Sequence, residues 1–342
     1  MTPLRDATSD GDLPVFGDDV SWEEAQAALQ LRELSDGLPM VPPTRARLDS
    51  MLAGVAEPDR SHGSLMPLCG DLSAAAVAYQ CVLAGCTPSH LPVVLTALVG
   101  CADDSFNLLG ISTTTGTPAV AVVVHGGVAE RLLLNSGTNC LGPGNPANAS
   151  VGRAVSLALR NIGGARPGVG DMATMGQPGK YTFCFAESRA GLLRSFAERR
   201  GFGSDEDAVT VLGVSGTAEV LPKGQDTPEQ ILSPVAAAMW SAQMASGGMR
   251  KRDPLEQVFL IPPELVDGLA RHGWGLADIQ AFLASVRPIL RDPAEAPELE
   301  DAALCEPADI HPLVTGGPGV KMTHLSLWAG GTRSVTLPLK AL

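Results

Sequence analysis

Apolar residues follow two periods along this chain, and segments of the two kinds alternate. A helix is expected to begin after Ser21, which forms a capping box with Glu24. Helical patterns cover residues 22–35, 44–55, 71–85, 91–102, 149–161, 227–248 and the later part of 257–286. Short β-rich runs predict strands at residues 118–127, 181–187, 208–216, 311–320 and 334–339, and at the start of 257–286. This alternation predicts an α/β fold with mixed or parallel sheets flanked by helices.

Two segments, residues 120–132 and 209–221, share a strand, a glycine and an Ala-Glu pair in the same order. The similarity suggests two similar half-domains, and chance likeness between short apolar segments is the alternative. A chain of 342 residues is long for a single core, so two domains or one large α/β domain are expected. We predict a flexible tail over residues 1–20, an Asn/Gly-rich site domain over 21–200 and a second α/β domain over 201–342.

Charge and composition exclude several classes of protein. The formal net charge is −13, so no basic surface is expected to bind nucleic acid or an anionic membrane. The apolar runs, such as residues 91–100, are too short to span a bilayer. The N-terminus lacks the basic and apolar regions of a signal peptide. We therefore expect a cytoplasmic protein, and a homo-oligomer as the general expectation.

Cysteine and histidine spacing gives little support to a metal site. The seven cysteines include no C-x-x-C pair, and the six histidines include no H-x-x-x-H pair. No dinucleotide-binding fingerprint is present either. We expect no metal, no cofactor and no disulfide. A metal-assisted enzyme that uses Cys69, His62 or His125 with carboxylates is the alternative.

Residues 134–164 contain five asparagines and six glycines, which is more than a plain connector needs. An asparagine side chain offers a donor and an acceptor, and four are candidate ligand groups: Asn135, Asn139, Asn145 and Asn148. Asn148 or Ser150 is expected to cap the following helix. Arg153, one turn further, is a candidate clamp for a carboxylate or phosphate. A structured loop of Asx turns with one N-cap is the competing interpretation.

Residues 106–118 form a second polar segment, with Asn107 and Thr114 as candidate binding residues. A Thr-rich turn or edge strand explains this segment equally well.

The predicted strand at residues 181–187 carries the candidate catalytic groups. Cys184 is a candidate nucleophile, provided that a nearby cation or helix N-terminus lowers the pKa of its thiol. Lys180 at the start of the strand and Glu187 at its end are a candidate acid–base pair. A buried cysteine between solvated charges is the alternative, and Cys140 or Cys69 could be the reactive thiol instead.

Several motifs of the chain are distinctive: "DGLPMVPPT", "FNLLGISTTTGTPAVAVVVHG", "NSGTNCLGPGNPANASVGRA", "NIGGARPGVGDMATMGQPGKYTFCFAE" and "RHGWGLADIQAFL". They resemble a family of bacterial proteins of undefined function that are encoded beside, or fused to, thiol- or selenol-bearing proteins of the UGSC type. The resemblance covers residues 32–286 and is most specific over 135–187. The chain departs from the family pattern at His125, where asparagine is expected, and it has no U-G-S-C-like motif.

This resemblance implies a cytoplasmic enzyme subunit whose polar site uses the block 135–187. It adds Asp171 and Tyr181 to the candidate substrate-binding residues. It also implies a thiol- or selenol-bearing partner protein, because the chain itself lacks the second reactive group.

Together these observations predict an enzyme that acts on a small carboxylate- or amide-bearing metabolite. Lyase- or hydrolase-type chemistry is expected, with Cys184, Lys180 and Glu187 as the catalytic residues. The alternative is a non-catalytic subunit that binds the substrate and presents it to a thiol or selenol partner.

Overall fold

The computed structural model describes residues 13–189, 191, 193–245, 256–287 and 305–340. Within these residues the chain forms eleven α-helices and nine strands. The helices are α1 Trp22–Leu31, α2 Arg45–Met51, α3 Ala74–Ala84, α4 Leu91–Cys101, α5 Leu108–Thr113, α6 Val128–Arg131, α7 Pro146–Asn161, α8 Phe196–Arg199, α9 Pro228–Ala245, α10 Pro263–Arg271 and α11 Leu276–Ser285. The strands are β1 Ser61–Leu65, β2 Gly70–Ser73, β3 Ala119–His125, β4 Cys184–Ala186, β5 Ala208–Val220, β6 Gln257–Ile261, β7 Ile310–Val314, β8 Met322–Leu327 and β9 Val335–Pro338.

Seven strands form one mixed sheet in the order β4-β3-β5-β8-β6-β7, with β9 paired to β5. β3 is parallel to β4 and β6 is parallel to β7, whereas the other pairings in the sheet are antiparallel. Helices flank the sheet, so the predicted α/β fold is confirmed. β5 has 13 residues and pairs with β3 and β9 through its first half and with β8 through its second half.

The two halves of the sheet have the same strand topology. In each half two parallel strands are followed by a strand antiparallel to the first of them: β3, β4 and β5 in one half, β6, β7 and β8 in the other. The similar segments 120–132 and 209–221 do not correspond to each other in this arrangement. They contain β3 and β5, which are antiparallel neighbours. The predicted boundary at residue 200 falls between two strands of the same sheet.

Three groups of buried side chains hold the fold together. One face of the sheet packs against α3, α4 and α7 in the first half, and against α9, α10 and α11 in the second. The opposite face has an apolar core of its own, with side chains from six strands, such as Val123, Phe185, Leu212, Leu260 and Leu313. β4 and β7 are the two ends of the strand order, yet the backbone N–H of Ser188, just after β4, donates to Val314 O of β7 at 2.7 Å. The sheet must therefore curve around this inner core to bring its two edges together.

Local signals set several element ends. Both bonds of the predicted capping box between Ser21 and Glu24 are present, and α1 begins at Trp22. The strands β1, β2 and β8 were not predicted. β1 is mostly exposed and lacks an apolar face, and β8 carries polar residues such as His324 among its buried positions.

The predicted flexible tail lies partly outside the described residues, since residues 1–12 are not among them. Residues 13–20 do not behave as a tail: Leu13 is buried, and the hydroxyl of Tyr79 donates to Pro14 O at 2.8 Å. The tail interpretation is therefore wrong for this part of the chain.

None of the described helices is, by itself, long and apolar enough to cross a membrane. A bent pair, residues 88–101 and 104–113 at 73° to each other, meets that condition in length and composition only.

Candidate functional site

A cavity of about 790 Å³ lies between α7, the N-terminal end of β3, α5 and the segment 165–181. Its walls combine apolar side chains such as Ile111, Val120 and Leu159 with charged ones. Ligand sites are commonly of this size and this mixed character. The cavity is therefore the candidate functional site.

Three of the predicted site residues meet in the lining of this cavity: Asp171, Lys180 and Tyr181. Lys180 Nζ donates to Asp171 Oδ2 at 2.6 Å, and both side chains are mostly buried, at 24% and 18% exposure. Tyr181 is half-exposed. The segment that carries them is fixed to the sheet, because Gln177 Nε2 donates to Val214 O at 2.7 Å and to Thr117 O at 2.6 Å.

Arg160 is the residue of the cavity that the sequence analysis missed. It lies in the last turn of α7, and its Nη2 donates to Glu33 O at 3.2 Å. Its Nε is buried without a hydrogen-bond partner, and no described carboxylate lies within 4.0 Å of the guanidinium. Burial lowers the pKa of Arg160, with a further contribution from Arg166, but an arginine remains charged at neutral pH.

The charges of the cavity lining do not cancel locally. Asp171 is paired with Lys180, and Asp36 is paired with Arg153. Arg160 forms no ion pair within 4.0 Å among the described residues, although Asp36, Glu33 and Asp171 act on its charge from a greater distance. A cavity with one unpaired cation and an unsatisfied donor attracts an anion.

The sequence predicted that Arg153 holds a ligand, but in the structure its guanidinium has a structural role. Its Nε and Nη2 donate to the two carboxylate oxygens of Asp36 at 2.8 and 2.9 Å. Nη1 and Nη2 also donate to the carbonyls of Pro39 and Leu38. Arg153 therefore fixes the turn at residues 36–39 against α7, and the ligand interpretation is corrected.

In residues 134–148, called the asparagine loop below, the asparagine side chains hydrogen-bond mainly to backbone groups of the loop itself. Asn148 accepts from Asn135 N and donates to the carbonyls of Asn135 and Cys140. Asn145 is the N-cap of α7, in place of the predicted Asn148 or Ser150, and it also donates to Leu133 O.

The remaining candidate amides are also occupied. Asn135 accepts from Gly137 N and donates to Thr138 O, and Asn139 donates to Pro143 O. None of the four loop asparagines lines the cavity. These contacts agree with the structured-loop alternative, and they do not bring the four asparagines to this cavity.

Asn107 and Thr114 also have local structural roles. Asn107 has a positive φ of 53°, accepts from Gly110 N at the start of α5 and donates to Gly330 O at 3.0 Å. Thr114 accepts from Gly116 N and closes a turn. Neither side chain lines the cavity, so both binding predictions are corrected.

Cys184 faces the helices and not the cavity. Alternation along β4 places Cys184 and Ala186 in the core beneath the helices, and Phe185 in the inner core. Burial raises the pKa of the Cys184 thiol, with a smaller contribution from Cys86. A nucleophile requires the thiolate. The nucleophile interpretation is therefore corrected to that of a core cysteine.

The other cysteines differ in exposure and in the direction in which their thiol pKa is shifted. Burial also raises the pKa of Cys140, whose Sγ accepts from the Thr315 hydroxyl at 3.5 Å. Cys69 is exposed. Hydrogen bonding from Cys81, opposed by burial, lowers the pKa of Cys86 to about 6, and His90 contributes further.

Iodoacetamide at neutral pH is therefore expected to alkylate Cys69 and Cys86 in the native protein and to leave Cys184 unmodified until urea unfolds the chain. Peptide mass spectrometry against time gives the rate at each cysteine. Rapid alkylation of native Cys184 would restore its candidacy as a nucleophile.

Glu187 belongs to a buried network at the opposite end of β4 from Lys180. His125 Nδ1 lies 2.8 Å from Glu187 Oε2, and His125 Nε2 lies 2.7 Å from the Thr210 hydroxyl. Phe196 N also donates to Glu187 Oε2, at 2.8 Å. Both His125 and Glu187 side chains are 1% exposed. Glu187 therefore does not form an acid–base pair with Lys180, and that prediction is corrected.

Acid is expected to destabilise the fold through His324. Burial lowers the pKa of His324 to about 4, whereas an unfolded histidine titrates near 6.5. Below pH 6.5 His324 becomes protonated in the unfolded chain, whereas in the folded protein it stays neutral until about pH 4. The free energy of unfolding therefore falls by about 2 kcal/mol between pH 7.5 and 5. In urea titrations, His324→Gln is expected to lose this part of the pH dependence. The exposed His272→Gln is the control, and an unchanged slope in His324→Gln would contradict the assignment.

No group of three or more His, Cys, Asp and Glu side chains in the described part of the chain is placed to hold a metal ion.

Comparisons with protein-family models, curated proteins and solved structures found no match.

Proposed function

We propose that the protein binds a small carboxylate-bearing metabolite in the cavity between α7 and the segment 165–181. Arg160 carries this proposal: it lines the cavity, its Nε is buried without a hydrogen-bond partner, and it forms no ion pair within 4.0 Å among the described residues. A carboxylate in the cavity would pair with the charge of Arg160.

The rest of the lining supports a ligand with an apolar body. The aliphatic part of the cavity wall is formed by Ile111, Val120 and Leu159, and Tyr181 adds an aromatic side chain. A ligand whose carboxylate meets Arg160 would place its apolar part against these groups and its reacting part toward Lys180.

In the proposed reaction Lys180 acts as the proton donor, and Asp171 holds its ammonium in position. Such a pair serves lyase- or hydrolase-type steps in which a proton is delivered to a leaving group. This replaces the pair Lys180 and Glu187 expected from the sequence. Cys184 has no part in it.

The binding step is tested by thermal shift of the wild type with short-chain carboxylates and with their matched primary amides. Carboxylates are expected to raise the melting temperature and amides are not. Arg160→Met is expected to weaken carboxylate binding by about ten- to a hundredfold, because one charge-assisted contact is lost. Arg271→Met, on the exposed side of α10, is the control. Equal stabilisation by amides and carboxylates would contradict the proposal.

A substrate-binding subunit is the second candidate function, and the rim of the cavity favours it. Met172, Met175 and Tyr181 line the cavity and are exposed, and Met175 is 87% exposed. Exposed apolar side chains gathered around a site mark protein contacts. In this version a thiol- or selenol-bearing partner docks on the rim and performs the chemistry.

Turnover distinguishes the two functions. The isolated chain is incubated with each carboxylate that it binds, with and without small thiols, and the products are followed by mass spectrometry. Turnover that is lost in Lys180→Met supports the enzyme. Binding without turnover supports the subunit.

A further inference from the structure

A second cavity of about 590 Å³ lies on the other side of the helical layer, where β1, α3, α4 and β9 meet. It shares no lining residue with the first cavity. The cysteines, the asparagine loop and the candidate catalytic residues are all outside it. His62, a candidate of the metal-assisted alternative, lines this cavity, but no group of three possible metal ligands is found there among the described residues.

The inner wall of this second cavity is apolar. Leu95, Thr96 and Val99 face it from consecutive turns of α4, and Leu337 and Pro338 of β9 form the opposite wall. Leu95 is almost fully buried, whereas Val99 and Leu337 are only partly buried. These partly buried side chains leave apolar surface open to the cavity, and an apolar ligand would remove that surface from water.

The outer rim of the second cavity is basic. Arg60, His62 and Lys340 line it together with a single acid, Glu57. Arg60 and Glu57 form a surface ion pair at 3.4 Å, with side chains 67% and 70% exposed. Lys340 has no hydrogen bond or ion pair to any residue that the structure describes. The rim therefore carries excess positive charge on a chain whose net charge is −13.

We propose that this second cavity binds an amphipathic anion, a molecule with an extended apolar body and one anionic head group. The body would lie against α4 and β9, and the head group would meet Lys340 and Arg60 at the rim. The proposal does not depend on the function of the first cavity.

Decanoate, kept below its aggregation concentration, is the probe. Isothermal titration of the wild type is expected to show one decanoate site, with binding of decanol about tenfold weaker because the head-group contact is missing. Lys340→Met is expected to lower decanoate affinity by about tenfold and to leave decanol binding unchanged. Thr96→Phe, which places a ring in the cavity, is expected to abolish binding of both probes.

Two controls establish that decanoate binds in the second cavity and not in the first. Arg160→Met, in the first cavity, is expected to bind decanoate like the wild type, and circular dichroism and melting confirm that Thr96→Phe is folded. Decanoate binding that is lost in Arg160→Met but retained in folded Thr96→Phe would overturn the proposal. So would equal affinity for decanoate and decanol.

A lipid surface could supply the same head-group chemistry. Co-sedimentation with phosphatidylglycerol vesicles addresses this source. Retention of the protein on vesicles, together with no decanoate binding in solution, would also overturn the proposal, because the free amphiphile would then not be the ligand.

Discussion

Glu187→Ala is expected to destabilise the folded protein by about 3–5 kcal/mol, because several buried donors lose their acceptor at a cost of about 1–3 kcal/mol each. The Glu187 carboxylate accepts from His125 at 2.8 Å, from Phe196 N at 2.8 Å and more weakly from Val314 N at 3.4 Å. These donors come from β3, from the start of α8 and from β7. The substitution would leave them unsatisfied away from water and would open a void where the curved sheet closes.

Urea unfolding of the wild type and of Glu187→Ala measures this loss. Glu187→Gln is expected to lose less, because its amide oxygen still accepts one hydrogen bond. Glu130→Ala, an exposed glutamate on α6, is expected to change stability by no more than about 0.5 kcal/mol. A loss below about 1 kcal/mol in Glu187→Ala would mean that water replaces the carboxylate, and the network would not be structural.

Gly152→Ala is expected to destabilise the protein by about 1–3 kcal/mol and to weaken ligand binding in the first cavity. A Cβ at Gly152 would lie 2.5 Å from Thr182 Oγ1 and 2.6 Å from Phe183 N. Helix α7 would therefore have to move away from the chain leading into β4. Arg160 lies on α7 and Lys180 on the segment before β4, so the same movement would separate the two cations.

Gly268→Ala is the matched control for this substitution, since it also places alanine inside a helix. Its nearest neighbours would be Arg271 Nη2 at 3.6 Å and Ile231 Cδ1 at 3.9 Å, which are ordinary contacts. Alanine has the higher helix propensity, so Gly268→Ala is expected to stabilise the protein by up to about 1 kcal/mol. Melting curves and carboxylate titrations of both variants give the comparison. Equal effects of the two substitutions would show that α7 has room to move.

The elements with strong local signals were predictable from the sequence. The capping box at Ser21, the run of buried β-branched residues in β3 and the alternation of Cys184 and Phe185 each depend on neighbours a few residues away. Such signals act within one helix turn or one strand, and tertiary contacts only adjust their ends. β8 was missed because the partners that bury its polar residues are distant in sequence.

The site was predicted only in part, for the same physical reason. A sequence shows which side chains can bind a ligand, but not which are already occupied. The asparagines of residues 135–148 are bound to backbone within their own loop, and Arg153 is bound to Asp36, which lies 117 positions away in the sequence.

Arg160 had a signal that could have found it. It follows Arg153 by two helical turns and so lies on the same face of α7. The sequence does not show that Arg160 has no carboxylate within ion-pair distance among the described residues. That follows from how residues 33–36 and the segment 165–181 pack around α7, and it is a property of the tertiary structure.

Isothermal titration of the double variant Arg160→Met, Lys180→Met is the most direct test of the central claim that the first cavity binds a ligand with its carboxylate at Arg160 and its reacting part toward Lys180. The ligand is the carboxylate that stabilises the wild type most, and the variant must first be shown to be folded. The account predicts one site in the wild type and no measurable binding in the double variant. Wild-type affinity in the folded double variant would contradict it, and the ligand would then have to bind elsewhere on the protein.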